Sequence, residues 1–176
     1  MDIYGLKFTE SEPAEPTTSF SYDAPEWKDY WEARRKWNEQ PGCYFRSNIW
    51  YWRPIVMFLQ EYADDILDEQ DINGISQNSG YTIEGEKYER LKERLRLAVD
   101  ENYASRWVRE FKAKQELLED EECQCCDGSG FNNGDPCRIC DTTGKVQNFM
   151  KNYPADIEVL EEFASFVDQS GGFMVW

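Results

Sequence analysis

The sequence predicts a mostly α fold: a compact helical domain with a small irregular or β hairpin inserted at residues 121–146. Three observations carry that prediction. Apolar residues recur at three- and four-residue spacing in five separate stretches, the mark of amphipathic helices. Two Cys-x-x-Cys pairs, Cys123/Cys126 and Cys137/Cys140, fall in one glycine-rich stretch between the last two of those helices. An apolar content of 40%, with seven Trp and ten Phe in 176 residues, is enough to fill one core.

Residues 1–25 are expected to form an extended, acidic, proline-rich arm, and within it 9–25, TESEPAEPTTSFSYDAP, with three prolines among small and acidic residues, is expected to be a weakly packed strap or a mobile arm. The helical core then runs over 26–120. Pro25 suits a first helical turn after Asp23, and Trp27, Tyr30, Trp31 and Trp37 follow near helical spacing. Pro41-Gly42 breaks this helix, and the aromatic run from Tyr44 to Trp52 reads as a short strand or a buried loop leading to Arg53-Pro54. From Pro54 to about Gln70, Ile55, Leu59, Tyr62 and Ile66 share one helical face, and Glu61, Asp64, Asp65 and Asp68 lie opposite.

Asp71 to Tyr81 reads as a loop, and Tyr88, Leu91, Leu95 and Ala98 mark the next helix. The stripe loses phase near Asp100 and resumes at Trp107, Val108, Phe111 and Leu118, so the 84–120 segment is expected to be two helices. In 147–176, Pro154 is expected to open a last helix with Ile157, Leu160, Phe163, Ala164 and Val167 inward. Ser170-Gly171-Gly172 ends it, leaving an apolar tail tucked against the body.

Thirty-five acidic against nineteen basic residues give a formal charge of −16. That balance repels phosphate backbones and favours encounter with basic protein surfaces, so direct nucleic-acid binding is not expected. Glu61, Asp64, Asp65, Asp68 and Glu69, with Asp71, form the acidic face that a basic partner would meet; an ordinary solvated helix face is the plain alternative. Glu116, Glu119, Asp120, Glu121 and Glu122 form a second acidic cluster. Basic residues between Lys87 and Lys114 alternate with glutamates and are expected to form internal ion pairs. No stretch reaches the roughly 20 apolar residues of a bilayer span and the start lacks a signal-peptide pattern, so a cytoplasmic location is expected.

The chain contains no histidine. Ser-His-Asp and Cys-His catalysis and histidine-ligated metals are therefore unavailable, no enzymatic activity is expected, and Cys43 reads as a buried structural thiol. Two Cys-x-x-Cys turns can close a tetrahedral four-sulfur shell around one structural zinc ion, with Cys123, Cys126, Cys137 and Cys140 as ligands. Cys125 is one thiol too many, and a shell with Cys125 in place of Cys123 stays open on the sequence alone.

Cys123-Gln-Cys-Cys126-Asp-Gly-Ser-Gly130 and Cys137-Arg-Ile-Cys140-Asp-Thr-Thr-Gly144 resemble the CxxCxGxG repeats of DnaJ-type co-chaperones, with Thr142 replacing the first glycine of the second repeat. That resemblance implies, as one reading, a chaperone-like adaptor whose zinc loop holds apolar peptide. Taken with Tyr44-Phe-Arg-Ser-Asn-Ile-Trp-Tyr-Trp-Arg-Pro54, Tyr153-Pro154 and Glu162–Phe173, the cysteine repeats are also similar to a family of small bacteriophage and prophage proteins, a resemblance that runs from about residue 40 to the end. The family carries no established activity. The phage context implies a protein that inhibits a host defence enzyme by contact, most sharply an anti-CRISPR whose carboxylates meet the basic channel of a Cas9-type effector.

Overall fold

The computed structural model describes residues 1–21 and 23–176, with Glu10 described by its backbone alone. The chain begins with strand β1 (Asp2–Gly5) and a 3-10 turn (Leu6–Ser11), followed by α1 (Pro25–Asn38), β2 (Tyr44–Arg46), α2 (Ile49–Tyr62), α3 (Glu69–Ile75) and β3 (Tyr81–Ile83). Next come α4 (Gly85–Asp100), α5 (Tyr103–Glu116), and four two-residue strands, β4 (Glu121–Glu122), β5 (Phe131–Asn132), β6 (Asp135–Pro136) and β7 (Lys145–Val146). A short 3-10 turn (Phe149–Asn152), α6 (Ile157–Ser170) and β8 (Phe173–Val175) complete it. The mostly α class predicted from the sequence is the class observed, with six α-helices among the described residues.

A four-stranded antiparallel sheet of order β2-β1-β8-β3 joins the two ends of the chain. Ile3 pairs with Phe45 on one side and Val175 on the other, and Ile83 pairs with Phe173. Period-2 alternation puts Ile3, Phe45, Phe173, Val175 and Ile83 into the core beneath α6, where Phe163 and Phe166 pack on Phe45 and Phe173. The same core takes in Trp52, Phe58 and Leu59 of α2, Leu91 and Leu95 of α4, and Trp107 of α5. Tyr88 ties α4 to the end of α6: its hydroxyl donates to the Val167 carbonyl at 2.7 Å and accepts from Gly171 N at 3.0 Å. Gly171 itself sits at φ 69°, the left-handed cap that ends the helix.

One expectation about the N-terminal arm is corrected. The arm does not include the first residues, because Asp2–Gly5 is an inner strand. Of the two forms expected for the stretch from residue 9, residues 11–19 take that of a strap along α1: the Trp27 indole donates to Ser19 O at 3.2 Å, Trp37 donates to Ser11 Oγ at 3.2 Å, and Arg34 pairs with Glu12 while its guanidinium lies over the Tyr4 and Trp37 rings. Tyr22, within that expected arm, lies outside the described residues.

Helix boundaries also move. α2 starts at Ile49, five residues before Pro54, because the Asn48 side chain accepts from Trp50 N and Tyr51 N and so caps the first turn. Pro54 is thus inside the helix. α2 then stops at Ala63, and a second helix, α3, occupies part of the expected loop under a capping box in which Asp68 accepts from Asp71 N and Asp71 accepts from Asp68 N. The α4/α5 break falls at Glu101 and Asn102, whose φ of 58° no helix continues through. α6 begins at Ile157 rather than Pro154, with Asp156 accepting from Glu158 N as its cap.

Candidate metal centre and acidic groove

Residues 121–146 build a module with its own small core, made of the four cysteines with Val146 packed against them. β4 and β7 close its base, and Gln115 pins the flanking chain by donating to Met150 O and Tyr153 O. The two half-sites adopt one conformation twice. Gly128 N donates to Cys123 O at 3.2 Å, and Thr142 N does the same to Cys137 O at 3.3 Å. Ser129 and Thr143 hydroxyls donate to the carbonyls of Cys126 and Cys140, each at 2.6 Å. The halves then lock reciprocally, Cys137 N to Gly130 O and Cys123 N to Gly144 O, both at 2.9 Å.

This close approach explains two glycines. A Cβ on Gly130 would overlap the Thr142 carbonyl, and one on Gly144 would overlap the Gly128 carbonyl. Thr142 takes the place of Gly128 in the second half and adopts its left-handed backbone, φ 66° against 73°. A β-branched residue there is strained by roughly 1 kcal/mol or more. Thr142→Gly is therefore expected to tighten metal binding about fivefold, the equivalent of roughly 1 kcal/mol. Competition against a chelator measures it, and unchanged or weaker binding would show that the threonine is not strained.

Cys123, Cys126, Cys137 and Cys140 are all buried, and their sulfurs lie within 4.8 Å of one another. Cys123 and Cys137 sulfurs are 3.9 Å apart and those of Cys126 and Cys140 3.7 Å. A disulfide requires about 2.05 Å. A tetrahedral shell with metal–sulfur bonds of about 2.3 Å has edges of about 3.8 Å, so the donor set fits a four-thiolate ion site. Gly130 N also donates to Cys126 Sγ at 3.3 Å. The backbone N–H groups of Cys140 and Ile139 push the Cys137 thiol down, while burial pushes Cys123 up. Such a cluster holds four negative sulfurs only when a cation neutralises them, so metal binding releases protons.

Cys125, the residue that left the ligand set open, is exposed and accepts from Asn132 Nδ2 at 3.4 Å, outside the cluster. Cys123 is the member of the set. Cys43 is fully buried, and desolvation raises its thiol to about 11.

The acidic face drawn on one long helix is redistributed by the break at Ala63. Glu61 turns to Trp107, accepting from its indole at 2.8 Å. Asp65 is gripped by both Nη atoms of Arg94, at 2.8 and 2.9 Å, with Arg90 at 3.3 Å; Arg94 holds its carboxyl below the usual carboxylate range. Asp68 caps α3 and meets Lys87 at 3.3 Å, and the Asp71 N–H holds its carboxyl low as well. Lys87 reaches Asp71 at 2.5 Å, where Tyr81 also donates at 2.9 Å. Asp64 and Glu69 make no hydrogen bond or ion pair among the described residues. Together with Asp68 they line a cavity of about 600 Å³ between α2 and α3, whose walls also include Arg53, Val56, Met57, Leu67 and Ile72.

The cavity is not legible in the sequence because the expected helix runs on through Ala63 to about Gln70, and Asp71 to Ile75, most of α3, reads as a loop. The capping box Asp68-x-x-Asp71 was the available signal for a new start. Ion pairs occupy the basic residues of α4 as expected, from Lys87 to Arg96. Those of α5, Arg106, Arg109, Lys112 and Lys114, form no ion pair among the described residues. No helix is long and apolar enough to cross a membrane among the described residues. Comparison with protein-family models, curated proteins and solved structures finds no match to this chain.

Proposed function

We propose that the chain is a zinc-stapled, non-enzymatic binding protein that acts by contact with a basic surface of a host protein. In its sharpest form it inhibits a nucleic-acid-handling defence enzyme of the Cas9 type in the cytoplasm of a bacterial cell. A closed shell of four soft thiolates with no position for water favours zinc in an architectural role over a reactive metal. The observation that supports the partner reading is the convergence of Asp64, Asp68 and Glu69 on one cavity, with the Asp64 and Glu69 carboxylates in no hydrogen bond or ion pair among the described residues. Carboxylates left free beside an apolar floor can desolvate against a lysine or arginine and steer its approach.

The test is capture of a purified Cas effector across a salt series. Binding should fall steeply with salt and drop at least tenfold in the Asp64→Lys, Glu69→Lys double variant, whose exposed positions leave the core untouched. Salt-insensitive binding, or none to any effector, contradicts the reading.

One observation favours a second reading, that of a chaperone-like adaptor. Phe131 and Ile139 project from the metal module at 51% and 67% exposure, as a loop that holds apolar peptide would require. Suppression of the aggregation of an unfolded client, lost in Ile139→Ser, separates this from inhibition of a folded enzyme, which predicts no such activity.

A further inference from the structure

We infer that the groove between α2 and α3 takes an extended peptide segment of the partner in a fixed polarity, its lysine or arginine at Asp64 and Glu69 and a carboxylate about five residues away at Arg53. This deepens the contact reading given above and rests on it.

The two helices form a hairpin. A six-residue turn carries the end of α2 into α3, and the far end is tied by the Trp52 indole, which donates to Ile75 O at 2.8 Å. Acidic groups therefore collect at the turn and Arg53 stands towards the tied end. Arg53 lies nine residues before the end of α2 at Tyr62, about 13 Å at a rise of about 1.5 Å per residue, and Asp64 lies two residues further on in the turn. Arg53 is half-buried and forms no hydrogen bond or ion pair among the described residues, and it is the one cation lining the cavity. The floor between these ends is apolar, with Val56 and Leu67 buried and Met57 and Ile72 half-buried. A cation and anions that lack hydrogen-bond and ion-pair partners among the described residues, set at opposite ends of one apolar trough, select an occupant with the reverse dipole.

The distance between the charged ends sets the length of the extended occupant. An extended strand spans about 16 Å in five residues, at roughly 3.3 Å each. At the acidic end the trough continues into a second hollow bordered by Asp68, Glu69 and Asn73, which gives a long basic side chain room to enter.

The probe is a fluorescein-labelled hexapeptide, Lys-Leu-Ala-Leu-Ala-Asp with blocked ends, followed by fluorescence anisotropy on the full chain. Wild-type protein is expected to prefer it at least tenfold over versions with either charged residue replaced by alanine. Arg53→Glu should reverse the preference at one end, binding Lys-Leu-Ala-Leu-Ala-Lys more tightly than the Asp-ended peptide. Arg53→Gln, the milder variant, should abolish discrimination at that end only. Absence of peptide binding, or binding that needs the lysine and ignores both Arg53 variants, overturns the inference. Salt-sensitive capture of an effector by Arg53→Glu protein, with no peptide polarity, overturns this inference and leaves the contact reading standing; loss of effector capture with peptide polarity intact does the reverse.

Discussion

Stripping the metal with a chelator is expected to disorder residues 121–146 and leave the rest of the protein folded. The module's interior consists of the four cysteines and Val146, and its four strands are two residues each. So small an apolar interior offsets little of the chain entropy of about 25 ordered residues, which costs on the order of 1–2 kcal/mol each. Structural zinc in small modules contributes on the order of 10–16 kcal/mol, and removing it exceeds anything local packing supplies. The main core shares no member with the module. Amide exchange should therefore show protection lost at Cys126, Ser129, Cys137 and Thr143, with α2 and α6 unchanged. Cys126→Ser should reproduce this pattern without a chelator. Global unfolding on chelation, or a module that keeps its protection, contradicts the separation of the two cores.

Truncating Trp52 should produce the largest loss of stability in the main core, about 3–5 kcal/mol for Trp52→Ala. The ring is fully buried, meets Phe163 edge-on at 5.5 Å, and its indole donates to Ile75 O. The substitution leaves a cavity and also leaves that carbonyl without its donor. Trp52→Phe keeps much of the volume and loses the hydrogen bond, so it should cost roughly 1–3 kcal/mol. The two variants separate packing from hydrogen bonding in one denaturation series. Both should bind metal as the parent does, since the residue lies in the other core. A loss under about 1 kcal/mol for Trp52→Ala would mean that α2, α3 and α6 are not joined through this side chain.

The elements visible in the sequence are those whose signal is local. α1 announces itself with Pro25 in its first turn and tryptophans along one side, α4 and α5 separate where the stripe loses phase at Asp100, and the spacing of the cysteines selects the ion site. The sheet left no such trace. Its strands are three or four residues long, too short to display alternation, and β1 and β8 pair from opposite ends of the chain. α2 was misplaced because proline at a first turn and asparagine as a cap are competing start signals six residues apart. Asn48 prevails because its side chain satisfies two N–H groups, and Pro54, which has none to satisfy, is carried inside a helix held by Trp52, Ile55 and Phe58. The acidic stripe dissolved for the same reason: once Ala63 ends α2, helical spacing no longer relates Glu61 to Asp65 and Asp68. Thr142 is the converse case. Sequence marked it as a departure from the repeat, yet the reciprocal hydrogen bonds of the module impose on it the backbone of Gly128.

The account as a whole depends on four sulfurs enclosing one ion for architecture. Elemental analysis of purified protein tests that most directly. One zinc per chain is expected in the parent and in Cys125→Ser, and none in Cys123→Ser or Cys140→Ser. Zinc that survives in Cys123→Ser but disappears in Cys125→Ser, or any stoichiometry other than one, would contradict it.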